Sequence, residues 1–148
     1  MLINKLKQAS IYFMSVFYIY IGIKHFLDLE YFLKIMPKYI PFHKEMVFVS
    51  GVFEVFLGLL LLIPKFRKPV SVGLILLLIA VFPANIYLYT TDEPIMGISK
   101  NDALIRMFFQ VPLIVIAYWH GLKNSSKLFS YLCLFFFLLI ILYFVVLI

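Results

Sequence analysis

From Leu128 to Ile148 the chain runs for 21 residues without one charged side chain. A crossing of about 30 Å of hydrocarbon needs ~20 mostly apolar residues in helical form, so this stretch reads as a membrane span. Four earlier stretches also qualify: about Gln8 to Leu27, Glu45 to Ile63, Val70 to Thr90, and Lys100 to His120. Composition agrees, because 65% hydrophobic residues and a mean hydropathy of +1.07 lie far above the ~45–50% apolar usage of soluble domains. The expectation is an all-α membrane protein, residues 1–148 forming a single membrane domain. Its expected partner is then the lipid bilayer, and a homo-oligomer stays open.

Charge narrows the reading further. The net charge of +6 comes from basic residues scattered at the ends of apolar runs. No basic face forms, so nucleic acid is not an expected partner and membrane anchoring explains the cations. Lys5, Lys7, Lys65, Arg67, Lys68, Lys123 and Lys127 fall on one side when five spans are counted. The positive-inside rule makes that side cytoplasmic, with the N-terminus inside an inner (plasma) membrane. The other side holds the acidic loop Thr90-Thr91-Asp92-Glu93-Pro94, together with Lys24, Lys34, Lys38 and Lys44. Lys5 and Lys7 before an apolar run imitate a secretory signal. Tyr20, Ile21, Ile23 and Lys24 offer no small-x-small cleavage site, so the segment reads as a retained first helix.

Between spans one and two, Asp28 to Lys44 is too polar to cross and too apolar for a free loop. Leu29, Phe32, Leu33 and Met36 recur at helical spacing, Asp28 can cap the start, and Glu30 precedes Lys34 by one turn. This predicts a short interfacial helix ended by Pro37 and followed by a Pro37 to Pro41 turn. It is either an ordinary connector or a lid over a ligand site.

The polar residues inside the spans carry what chemistry there is. Glu54 stands in Ser50-Gly51-Val52-Phe53-Glu54-Val55-Phe56-Leu57-Gly58, otherwise apolar or small. A charge at bilayer depth costs at least ~2.5 kcal/mol on insertion scales, so such an acid faces protein and has a partner. Val47, Gly51, Glu54 and Gly58 share one helical stripe, and its two glycines let a neighbouring helix approach. In span three, Pro83 releases the Ile79 carbonyl and predicts a kink just before Asn85. Span four opens on a Ser99-x-x-Asp102 cap, places Arg106 and Gln110 one turn apart, and has Pro112 as a further bend.

At ~1.5 Å of rise per residue, Glu54, Asn85, Arg106, Gln110 and His25 all fall in the outer half of the membrane, leaving the inner half apolar. Pairing Glu54 with Arg106, helped by Gln110 and Asn85, is the expected arrangement. Other chemistry drops out. A single cysteine, Cys133, excludes a C-x-x-C pair, an internal disulfide and a cysteine zinc site. His25 and His120 end opposite sides of their spans and cannot share a haem iron. His43 lies in a loop, and no metal site is expected.

Five motifs in order, Gly22-x-x-His25-Phe26, Met36-Pro37-x-x-x-Pro41, Ser50-Gly51-x-x-Glu54-x-x-x-Gly58, Phe82-Pro83-Ala84-Asn85-Ile86-Tyr87 and Arg106-x-x-x-Gln110, resemble the DoxX-like family of small bacterial membrane proteins. The likeness covers about residues 15–120. Phe108 stands where the family pattern Arg-x-Pro-x-Gln has proline. The resemblance implies a four-helix transmembrane bundle over about residues 8–120, with 128–148 as an added fifth, C-terminal span. It also implies association with quinol-oxidase, thiosulfate:quinone oxidoreductase or redox-stress systems, and so a membrane or peripheral redox partner protein.

Three functions stay open. One is an accessory oxidoreductase component binding a quinone-like or lipidic ligand, with Glu54 as proton acceptor, Arg106 tuning its charge, and His25, Asn85 and Gln110 orienting the head group. No cofactor other than such a quinone is expected. The second is a structural or assembly subunit whose polar cluster only fixes helix packing. The third is a small lipid-modifying or lipid-transporting protein.

Overall fold

A computed structural model describes residues 2–92 and 95–147; Glu93 and Pro94 of the acidic loop and Ile148 of the last span lie outside the described residues. The described residues are helical, with no strand. Helix α1 (Leu2–Leu27) leads into the six-residue α2 (Leu29–Lys34), then α3 (His43–Leu61), α4 (Arg67–Thr90), α5 (Lys100–Gly121) and α6 (Lys127–Leu147). Four of these, Leu2–Leu27, Pro64–Thr90 (a short 3-10 turn running into α4), Lys100–Gly121 and Lys127–Phe144, are long and apolar enough to cross a membrane. The 19-residue α3 carries Lys44, Glu45 and Glu54 and is not among them.

The helices alternate in direction. Gly22 lies against Gly51, while Ser15 and Ile19 lie against Gly58, so α1 and α3 are antiparallel. Ser71 reaches Ala117 and Leu78 reaches Gln110, which makes α4 and α5 antiparallel as well. α6 closes the ring by packing on α5 through Phe109 and Tyr143 and on α1 through Phe13 with Phe137 and Phe17 with Phe144. Ile11, Met14, Leu57, Leu61, Val70, Leu74, Ile116, Ala117 and Ile140 fill the centre. The outward faces stay apolar, for example Val52, Phe53, Phe56 and Leu59 on α3. Such a surface suits lipid and would be a large exposed patch in water.

The contact between α1 and α3 is a close one, and it depends on glycine. A Cβ at Gly22 would sit 2.8 Å from the Gly51 carbonyl oxygen, and one at Gly51 would sit 2.7 Å from the His25 Cβ. Small residues on facing stripes allow this approach, as the Val47, Gly51, Glu54, Gly58 pattern predicts; all four are buried.

Three local expectations, at Asp28, Met36 and His43, need correction. Asp28 makes no side-chain cap for α2; its carboxylate accepts from Lys24 Nζ at 2.8 Å, one turn back on α1. α2 ends at Lys34, so Met36 falls in the following turn. His43 heads α3 instead of lying in a loop, and its Nε2 donates to the carbonyl of buried Pro37 at 3.0 Å. The left-handed Phe42 (φ 55°) sets the entry into α3. α4 and α5 stay helical through Pro83 and Pro112. The Ser99–Asp102 cap forms in both directions.

Candidate functional site

Side chains on a helix lean toward its N-terminus. On two antiparallel helices, groups offset along the axis can therefore converge. His25 leans back along α1 and Glu54 leans back along α3, which brings His25 Nδ1 to 3.2 Å from Glu54 Oε2. Both are buried, at 7% and 9% exposure. The expected pairing of Glu54 with Arg106 does not form. A histidine one helical turn beyond the glycine contact is nearer, and Arg106 lies across the bundle on α5.

His25 Nδ1 also lies 2.9 Å from the Ile21 carbonyl oxygen. A carbonyl can only accept, so Nδ1 carries a hydrogen and donates it there. Glu54 Oε2 is then close to the ring without a hydrogen bond of its own. It has company: the four sealed polar side-chain atoms without a partner among the described residues are Ser15 Oγ, Tyr18 OH, Ser50 Oγ and Glu54 Oε2. All four belong to α1 and α3. Most buried polar atoms in proteins are hydrogen-bonded, so their concentration at one interface marks a place where protein alone does not complete the bonding.

His25 lines a groove of about 500 Å³ together with Phe26, Leu29, Lys44, Glu45, Phe48 and Val49. Glu54 is not in the lining, although its Oε2 lies 3.2 Å from Nδ1 of the His25 ring. Phe32 of α2 stacks on that ring with centroids 3.7 Å apart at 22°, so α2 covers one ring face. Its neighbour Tyr31 accepts a hydrogen bond from Arg106 at 2.9 Å. The short helix thereby ties α5 to the His25 site. Tyr31 and Phe32 were not among the residues expected here, although Phe32 lies on the predicted apolar stripe of α2.

Asn85 and Gln110 form a separate set. Asn85 Nδ2 donates to Gln110 Oε1 at 2.6 Å, and Gln110 Nε2 donates to the Leu78 carbonyl. That carbonyl precedes the one that Pro83 was expected to release, at Ile79. The five expected site residues thus divide into His25 with Glu54, Asn85 with Gln110, and Arg106 with Tyr31, and only His25 lines the groove.

The end of the bundle expected to be apolar is polar. Ser10 donates to the Lys7 carbonyl at 2.8 Å, so its oxygen accepts from His120 Nε2 at 2.9 Å. Lys7 Nζ donates to the Leu122 carbonyl at 2.7 Å. Arg67 donates to the Leu61 carbonyl and to Gln8 Oε1, and Ser71 donates to the Ala117 carbonyl. Serines and helix-end carbonyls supply most of these bonds, and neither stands out in an apolar sequence.

Among the described residues no group of histidine, cysteine and acidic side chains could hold a metal ion. No curated protein and no solved structure matches the chain. One family does match, over residues 14–121, a stretch that contains His25, Glu54, Asn85, Arg106 and Gln110 and ends before α6. The chain therefore belongs to the family described as a domain of unknown function, DUF8561.

Proposed function

We propose that this is a multi-pass membrane protein that binds the polar head of a quinone-like or lipidic ligand in the groove between α1 and α3. In this reading α3 is a fifth span, since its charges Lys44 and Glu45 lie in its first turn and Glu54 faces α1. α2 lies at the membrane surface over the groove mouth, and the N-terminus is cytoplasmic in the inner membrane. The observation that carries the reading is the 3.2 Å approach of Glu54 Oε2 to a histidine that lines the groove, with that oxygen unpartnered. His25 meets the ligand, and Glu54 balances charge or accepts a proton behind it. The DoxX-like resemblance supports an accessory role in a membrane redox system, with electrons supplied by a partner protein.

A packing role is favoured for Asn85 and Gln110, because they use their amides on each other and on Leu78. Mass spectrometry of small molecules that co-purify with wild-type protein and with Glu54→Gln tests the ligand reading. Enrichment of a lipophilic aromatic or isoprenoid compound in wild type, lost in the variant at unchanged melting temperature, is expected. Identical bulk phospholipid in both would overturn it.

A further inference from the structure

The histidine that lines the groove has a defined hydrogen-bonding sense, and we infer that His25 Nε2 accepts a hydrogen bond from a phenolic hydroxyl on the head of a lipophilic ligand. The inference rests on the groove reading above and adds to it the class of head group. Nδ1 holds its hydrogen toward the Ile21 carbonyl. In a neutral ring the other nitrogen is then an acceptor. Nε2 makes no hydrogen bond among the described residues, and it is not one of the sealed atoms. His25 lines the groove. An acceptor in that position binds a hydroxyl and gains nothing from a carbonyl or an ether oxygen, so a hydroquinone-type head fits where a quinone head does not.

The lining favours an aromatic head over a simple alcohol. Phe26 and Phe48 stand edge to face with centroids 5.2 Å apart, both are well exposed, and both line the groove. An arene packs on such a pair by the same edge-to-face preference.

The test uses the full chain in detergent under anaerobic conditions. Nitrogen-15 NMR of histidine-labelled protein has only three histidines to resolve, and the His25 signal is identified by its loss in His25→Phe. At neutral pH the His25 Nε2 is expected to be unprotonated and to shift when 2-decylhydroquinone is added; a protonated Nε2 overturns the inference. In parallel, binding of 2-decylhydroquinone, its dimethyl ether and dodecanol is compared. The hydroquinone is expected to bind about tenfold more tightly than its ether, as one hydrogen bond to a partly buried acceptor allows, and more tightly than dodecanol, whose hydroxyl can donate but whose chain lacks the arene that packs on Phe26 and Phe48. His25→Phe is expected to abolish the preference over the ether while still binding the ether. Equal binding of hydroquinone and ether, or of hydroquinone and dodecanol, overturns the inference and leaves the groove reading in place. Binding of none of the three overturns the groove reading itself.

Discussion

Two buried histidines sit toward opposite ends of this bundle and donate from opposite ring nitrogens. His120 gives its Nε2 hydrogen to Ser10, whose own hydrogen goes to the Lys7 carbonyl, and the ring is 2% exposed. His25 gives its Nδ1 hydrogen to its own helix at Ile21 and keeps Nε2 without a protein partner among the described residues. Around His120 the neighbouring cations are also occupied, Lys7 by Leu122 and Arg67 by Leu61 and Gln8. Around His25 the adjoining oxygen of Glu54 is unpartnered, as are three hydroxyls on the same two helices. A closed network fixes register and has nothing to offer a ligand, whereas an open one costs stability unless something else completes it.

Substitutions can break or sharpen this contrast. The largest effect is expected from Gly51→Leu. Its Cβ would lie 2.7 Å from the His25 Cβ and 3.0 Å from the Gly22 carbonyl oxygen, and neither backbone can give way without separating α1 from α3. A loss of about 3 kcal/mol or more is predicted, read as a lower unfolding midpoint in mixed detergent. A wild-type midpoint would mean that the two helices are not packed this closely.

Next comes His120→Ala, which removes a fully enclosed ring and the donor to Ser10. It should destabilise by about 2 kcal/mol without changing ligand binding. Tyr31→Phe removes the acceptor for Arg106 and should cost about 0.6 kcal/mol, in the range of hydrogen bonds between membrane helices. If α2 covers the groove, the same variant should also speed ligand release, and unchanged release kinetics would count against that role.

The smallest effect on stability is expected from Glu54→Gln. The amide keeps the shape and removes a carboxyl group whose Oε2 makes no hydrogen bond, so the change should stay within about 0.5 kcal/mol. Ligand enrichment should nevertheless be lost. A stability loss as large as that of His120→Ala would place Glu54 with the closed network and end the contrast between the two ends.

Much of the architecture is legible in the residue pattern. Helical periodicity and apolar run length are local properties, so the five long helices, the Ser99–Asp102 cap and the buried stripe of Gly51, Glu54 and Gly58 follow from spacing alone. That Glu54 must face protein also follows, because a charge has no stable place against lipid. The partner does not follow. Depth along a span orders residues in one dimension, and in one dimension Arg106 and His25 are equally good neighbours for Glu54.

Only the tertiary structure decided between them. The Gly22–Gly51 contact brings α1, not α5, against α3, and the backward lean of side chains on antiparallel helices then joins His25 to Glu54. The polar cluster around Ser10 and His120 was hidden for a related reason. Most of its acceptors are backbone carbonyls and serine oxygens, which every apolar helix can supply, and only packing determines which of them a distant side chain meets.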